Sequence, residues 1–149
     1  MPPNAAPMNS NIRMIIKFAM MITVVLYGVV AFVTVKPSAA FSFDKLMADP
    51  FAAIIAFLAV SMILVGKVVS GALKRGIEPK RDESGRKVFD PSQAAKFFSA
   101  MVVELALYEA IAVFGLVLTF IKGQPKILAP FALLALVMMA SVKTSPKWD

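Results

Sequence analysis

Four apolar blocks separated by short polar or Pro/Gly-containing stretches set the pattern of the chain. They cover about 11–35, 50–75, 91–122 and 125–142. Each holds roughly 16 to 25 mostly apolar residues in a row, where about 20 cross the hydrocarbon core of a bilayer as a helix. The pattern predicts an all-α integral membrane protein with four transmembrane helices in antiparallel hairpins, a single domain over 1–149. The 125–142 block is among the shortest, and 76–90 is a basic loop.

Punctuation residues fix the ends. Ser10 or Asn11 can cap the first helix, which stops before Lys36-Pro37. That segment also resembles a signal peptide, with Ser38-Ala39-Ala40 as a small-x-small site. Its apolar run exceeds the usual core of such a peptide, so we read it as a retained membrane helix. The Pro/Asn/Ala-rich Met1 to Asn9 reads as disordered. Ser38 to Asp49 reads as a short loop, with an amphipathic turn around Phe41 to Met47. Asp49-Pro50 starts the second long helix and Gly76 stops it. Ala52, Ala56, Ala59, Gly66 and Ser70 recur along that helix as a narrow face that lets another helix approach closely.

Pro79 and Ser84-Gly85 place turns in the 77–88 segment. Asp90-Pro91-Ser92-Gln93 repeats the start signal, with Gln93 completing a variant capping box. Gly123-Gln124-Pro125 leaves almost no loop, so the last segment returns antiparallel beside the third, with Pro130 bending it near its start.

Composition sharpens the class. Hydrophobic residues make up 59% of the chain and the mean hydropathy is +0.78, above the roughly half that soluble globules carry. With no cysteine and no histidine, disulfides, Cys/His zinc sites, histidine-ligated haem and Ser-His-Asp triads are excluded. The +7 charge raises the question of nucleic acid, but basic cytoplasmic loops give the same balance, and no nucleic-acid partner is expected. Arg13, Lys17, Lys67, Lys143 and Lys147 group with the basic 74–96 segment, leaving Lys36, Lys45, Lys122 and Lys126 for the other side. That asymmetry predicts both termini and the 74–96 segment in the cytoplasm, with the inner membrane of a bacterium as the expected location.

Two carboxylates interrupt the third block. Glu109 lies near the middle of 97–121 and Glu104 five residues before it, about 140° away around a helix, so the two do not form an acid/base pair. Glu104 shares a face with Ala100, Met101 and Tyr108, and Glu109 with Leu105, Ala112 and Val113. Matching Leu73 with Phe97 at the membrane surface sets Glu109 at the depth of Ser61 and Met62, and Glu104 near Lys67. Glu104 is thus read as an ion pair with Lys67 or as a carboxylate reaching the interface. Glu109 is either a neutral hydrogen-bonding group or a site that takes up and releases an ion, because a charge at midmembrane costs about 2.5 kcal/mol or more. Ser61 is the one hydroxyl placed near Glu109, too little for a sodium ligand set. The expected ion is a proton.

The run Glu104 to Leu118, ELALYEAIAVFGLVL, resembles the carboxylate-bearing helix of the rotor-ring c subunit, or proteolipid, of rotary ATP synthases and V-type ATPases. The resemblance covers about 50–121. It implies a helical hairpin with Glu109 at the ion-binding position, followed by Ala110, Ile111, Ala112 and Gly115.

The leading expectation is a membrane subunit that binds a proton at Glu109, in a homo-oligomer or with other membrane subunits. The alternative is a structural or assembly subunit with no transport role. There Glu109 is a neutral hydrogen-bond donor, and the 74–96 segment docks a partner or anionic lipid. No nucleophile–base pair, cofactor motif or metal set appears, so neither enzyme activity nor a cofactor is expected.

Overall fold

The computed structural model describes residues 10–36, 42–78, 80–81, 87–88 and 90–144. The expectations for Met1 to Asn9, for Ser38-Ala39-Ala40 and for the turns at Pro79 and Ser84-Gly85 lie outside these. The described chain is helical: α1 (Ser10–Thr34), α2 (Phe43–Met47), α3 (Pro50–Lys74), α4 (Pro91–Lys122) and α5 (Leu128–Ser141). One two-residue strand pair joins α3 to α4, β1 (Lys80–Arg81) against β2 (Lys87–Val88), with Lys80 opposite Val88 and Arg81 opposite Lys87.

Local chemistry accounts for the helix ends. Asp49 Oδ1 accepts the Phe51 amide at 3.0 Å, and Asp90 Oδ1 accepts the Ser92 amide at 3.1 Å. Each aspartate is followed by a proline at the first helical position, where no amide is needed. The capping box expected at Gln93 does not form as drawn: its Oε1 is buried with no hydrogen-bond partner among the described residues. Helix α4 ends at Gly123, whose φ of 62° is left-handed. Its amide and that of Gln124 both donate to Thr119 O, a stop that a side chain at 123 would strain.

Three helices, α1, α3 and α4, are long and apolar enough to cross a membrane, which points to a membrane location. The fourth segment differs from the expected span. It divides into a 3₁₀ turn, Pro125–Ile127, and the 14-residue α5, whose length of about 21 Å falls short of the roughly 30 Å core. The 3₁₀ turn takes up the first residues after Pro125, so the regular α-helix begins only at Leu128 and ends before the polar Lys143. Pro130 lies in its first turn, where the amide it lacks is not required.

Helix α4 is the centre of the bundle and packs against α1, α3 and α5. The main core joins Val24 of α1, Ala59 of α3, Tyr108 and Ala112 of α4, and Met139 of α5. The outward faces are apolar instead: Val33, Phe57 and Leu64 are among the most exposed side chains. That inversion suits lipid as the surrounding solvent. Of the small residues in α3, Ala52, Ala59, Gly66 and Ser70 are buried and Ala56 half-buried. A Cβ on Gly66 would come within 2.9 Å of Tyr108 Cε1, so the glycine lets the ring lie flush against the α3 backbone.

Residue numbers rise along α3 as they fall along α4: Asp49 pairs with Lys122, Gly66 meets Tyr108, and Ser70 meets Glu104. At the other end of the bundle α1 meets α5. Lys17 Nζ donates to Ala140 O at 2.7 Å and to Val142 O at 2.8 Å, and Arg13 donates to Thr144 O at 3.3 Å. These bonds satisfy carbonyls at the end of α5 that have no helical partner. The Arg13 guanidinium and the Lys74 ammonium lie 5.4 and 5.5 Å from the centre of the Phe97 ring. The start of α1, the end of α3, the start of α4 and the end of α5 therefore converge.

Candidate functional site

The two carboxylates of α4 have different surroundings. Glu104 is buried, with its side chain 4% exposed, and its oxygens face α3. Lys67, Ser70 and Lys74 follow one another at helical spacings of three and four, so one face of α3 delivers all of them to the carboxylate. Lys67 Nζ lies 3.2 Å from Oε1 and Lys74 Nζ 3.2 Å from Oε2. The Ser70 hydroxyl donates to Oε2 at 2.7 Å, and the Tyr108 hydroxyl, one turn along α4, donates to Oε1 at 3.1 Å. Four donors saturate one carboxylate, and the Lys67 ammonium also stands 5.7 Å from the centre of the Tyr108 ring. A carboxylate bound in this way is fixed in place by charge-assisted bonds.

Glu109 points elsewhere. Five residues further along α4 it faces α1, where the Tyr27 phenol donates to its Oε1 at 2.8 Å. It is half-buried and forms no ion pair among the described residues. Ser61 is not joined to it: the Ser61 hydroxyl donates to Phe57 O of its own helix at 2.8 Å. In α3 the residues that meet the Tyr108 ring and the Glu104 carboxylate are Gly66 and Ser70. Long side chains of α4 lean toward its N-terminus, and the Lys67–Glu104 and Asp49–Lys122 pairs stay within about one residue of the register that matching Leu73 with Phe97 gives.

Sequence reasoning missed Tyr27, Tyr108, Ser70 and Lys74 as carboxylate partners. The spacing of Lys67, Ser70 and Lys74 and the four-residue step from Glu104 to Tyr108 were legible signals. No local signal marks Tyr27, because helices separated by 82 positions in sequence meet there. Among the described residues no three acidic side chains come together as a metal site.

A groove of about 200 Å³ lies beside α3 and α4, lined by Leu46, Ala56, Val60, Leu118, Phe131 and Leu134 among others. It presents no charged side chain. Comparison of the chain with protein families, curated proteins and solved structures finds no match.

Proposed function

We propose that the protein is a multi-pass subunit of a membrane assembly in which Glu109 takes up and releases a proton within the bilayer. One observation carries this reading. Glu104 is answered by two ammonium groups, whereas Glu109, on the same helix, is answered among the described residues by the neutral Tyr27 phenol alone. A lone carboxylate charge is costly at that depth, and a proton is the counterion it lacks. When the proton leaves, the Tyr27 O–H remains aimed at the oxygen that carries the charge. Glu104, its charge already neutralised, is the fixed reference against which Glu109 switches.

In this reading α3 and α4 form an antiparallel proteolipid-like hairpin, and α1 covers the ion-binding carboxyl. The resemblance of Glu104 to Leu118 to the rotor-ring helix supports it, as does the facing of Gly66 and Tyr108. We take α5 as a fourth, short crossing. Its helix and the preceding 3₁₀ turn rise about 27 Å together, and they run from the Lys122 end to the Lys17 end. The basic end, with Arg13, Lys17, Lys74 and Lys143, faces the cytoplasm of a bacterial inner membrane. Further membrane subunits or copies of this chain complete the assembly.

Infrared difference spectra of the reconstituted protein after a pH jump test the reading. A protonated-carboxyl band that changes with pH and vanishes in Glu109→Gln, together with liposome proton flux lost in the same variant, supports it. A pH-independent spectrum, or flux equal in wild type and variant, overturns it. A purely structural role has one observation in its favour: the Tyr27–Glu109 bond ties α1 to α4. That role predicts the pH-independent spectrum.

A further inference from the structure

The cluster around Glu104 is not neutral. One carboxylate faces the ammonium groups of Lys67 and Lys74, and its other two partners, Ser70 and Tyr108, are uncharged. One positive charge is left over. It does not lie in the core: the Lys67 side chain is 53% exposed and that of Lys74 30%. Exposed Arg75 and Lys96 add to it, while Glu78 follows α3 and Asp90 caps α4.

The position of Lys67 says what can neutralise this charge. It lies seven residues, or about 10 Å, inside the Lys74 end of α3. Phe57, Val60 and Leu64 precede it at spacings of three and four along the helix, and all are exposed and apolar. Resting on the membrane reading of α3, this strip faces acyl chains, and the ammonium reaches along its stem toward the headgroups. An ammonium half out of the protein at that level needs an anion that can stand at the interface with an apolar tail below it. A soluble anion has the charge but no tail, and a zwitterionic lipid brings no net charge.

We propose that the Lys67–Lys74 edge of α3 binds an anionic phospholipid, its phosphate between the two ammonium groups and an acyl chain along Leu64, Val60 and Phe57. The site draws its surplus charge from sharing one buried carboxylate between two lysines, and it is independent of proton binding at Glu109.

The test uses the full chain with its single tryptophan, Trp148, replaced by phenylalanine, and with Leu64→Trp as reporter. It is reconstituted in vesicles containing either brominated phosphatidylglycerol or brominated phosphatidylcholine at equal mole fraction. Quenching of the introduced indole should favour phosphatidylglycerol about fivefold, what one surplus basic residue near an anionic surface is worth. The preference should fall to about one in Lys67→Gln and persist in Lys67→Arg, which shows that charge rather than folding is read. Lys126→Gln, at the other end of the bundle, should leave it unchanged. Equal quenching by the two lipids, or a preference undiminished by Lys67→Gln, overturns the site. Competition by soluble glycerol phosphate overturns the lipid as its occupant. Quenching by neither lipid overturns the membrane placement of α3 and the site with it.

Discussion

The Tyr27 phenol hydrogen-bonds Glu109 Oε1 at 2.8 Å, joining the second half of α1 to the middle of α4. Tyr27→Phe removes the donor and leaves the ring. Side-chain hydrogen bonds between membrane helices average about 0.6 kcal/mol and reach about 1.7. Tyr27→Phe should therefore lower unfolding stability in mixed micelles by about 1 kcal/mol. Glu109→Gln keeps an acceptor and should cost less. In a double-mutant cycle with Glu109→Leu the two losses should not add.

Glu104 is a different case. Glu104→Gln leaves the partly exposed ammonium groups of Lys67 and Lys74 without a charge to face and removes the charge-assisted bonds to the carboxylate, which should cost about 1.5–3 kcal/mol. Lys67→Gln removes the more exposed partner and should cost about 1 kcal/mol or less. Equilibrium unfolding of the two variants checks the order. Equal losses would mean that the cluster is not organised around Glu104.

Three glycines separate packing from backbone effects. Gly115→Ala sets a Cβ into Phe131 Cβ on α5, and Gly66→Ala sets one against the Tyr108 ring. Overpacking of this kind costs about 1–3 kcal/mol, and Gly115 should stand at the upper end because a side-chain root rather than a ring edge is in the way. Gly66→Ala should also weaken the Tyr108–Glu104 bond. Gly28 has nothing within 4 Å of a new Cβ, so Gly28→Ala should gain about 0.5–1 kcal/mol from helix propensity. Thermal unfolding in detergent reads all three.

At the other end of the bundle Lys122 pairs with Asp49. Its hydrogen bond, helped by the Phe51 amide and opposed by desolvation, holds the Asp49 carboxyl below the usual aspartate range. The unfolded chain then takes up this proton at higher pH than the folded one. The stabilisation is complete above about pH 5 and is lost as the pH falls through about 4 and below. A pH series of unfolding should show this acid loss, and Asp49→Asn, which keeps a capping oxygen, should flatten it.

How much was legible in the sequence follows from how local each signal is. Asp49-Pro50, Asp90-Pro91 and Gly123 fix helix ends through bonds to amides and carbonyls within a few residues, so the bounds of α3 and α4 could be read directly. The apolar length of three segments identifies helices able to cross a membrane in the same way. The opposite directions of Glu104 and Glu109 follow from helical geometry alone.

Tertiary structure decided who meets each carboxylate. Gly66 allows Tyr108 to seat against α3, and that close approach brings Ser70 and Lys74 as well as Lys67 to Glu104. Ser61 turns back to its own helix because a neighbouring carbonyl is always within reach of a helical serine. The Tyr27–Glu109 bond and the Lys17 bonds to the end of α5 join segments more than 80 positions apart. Periodicity records which face of a helix is polar. It does not record which helix that face will meet, because that choice is made by packing among all of them at once.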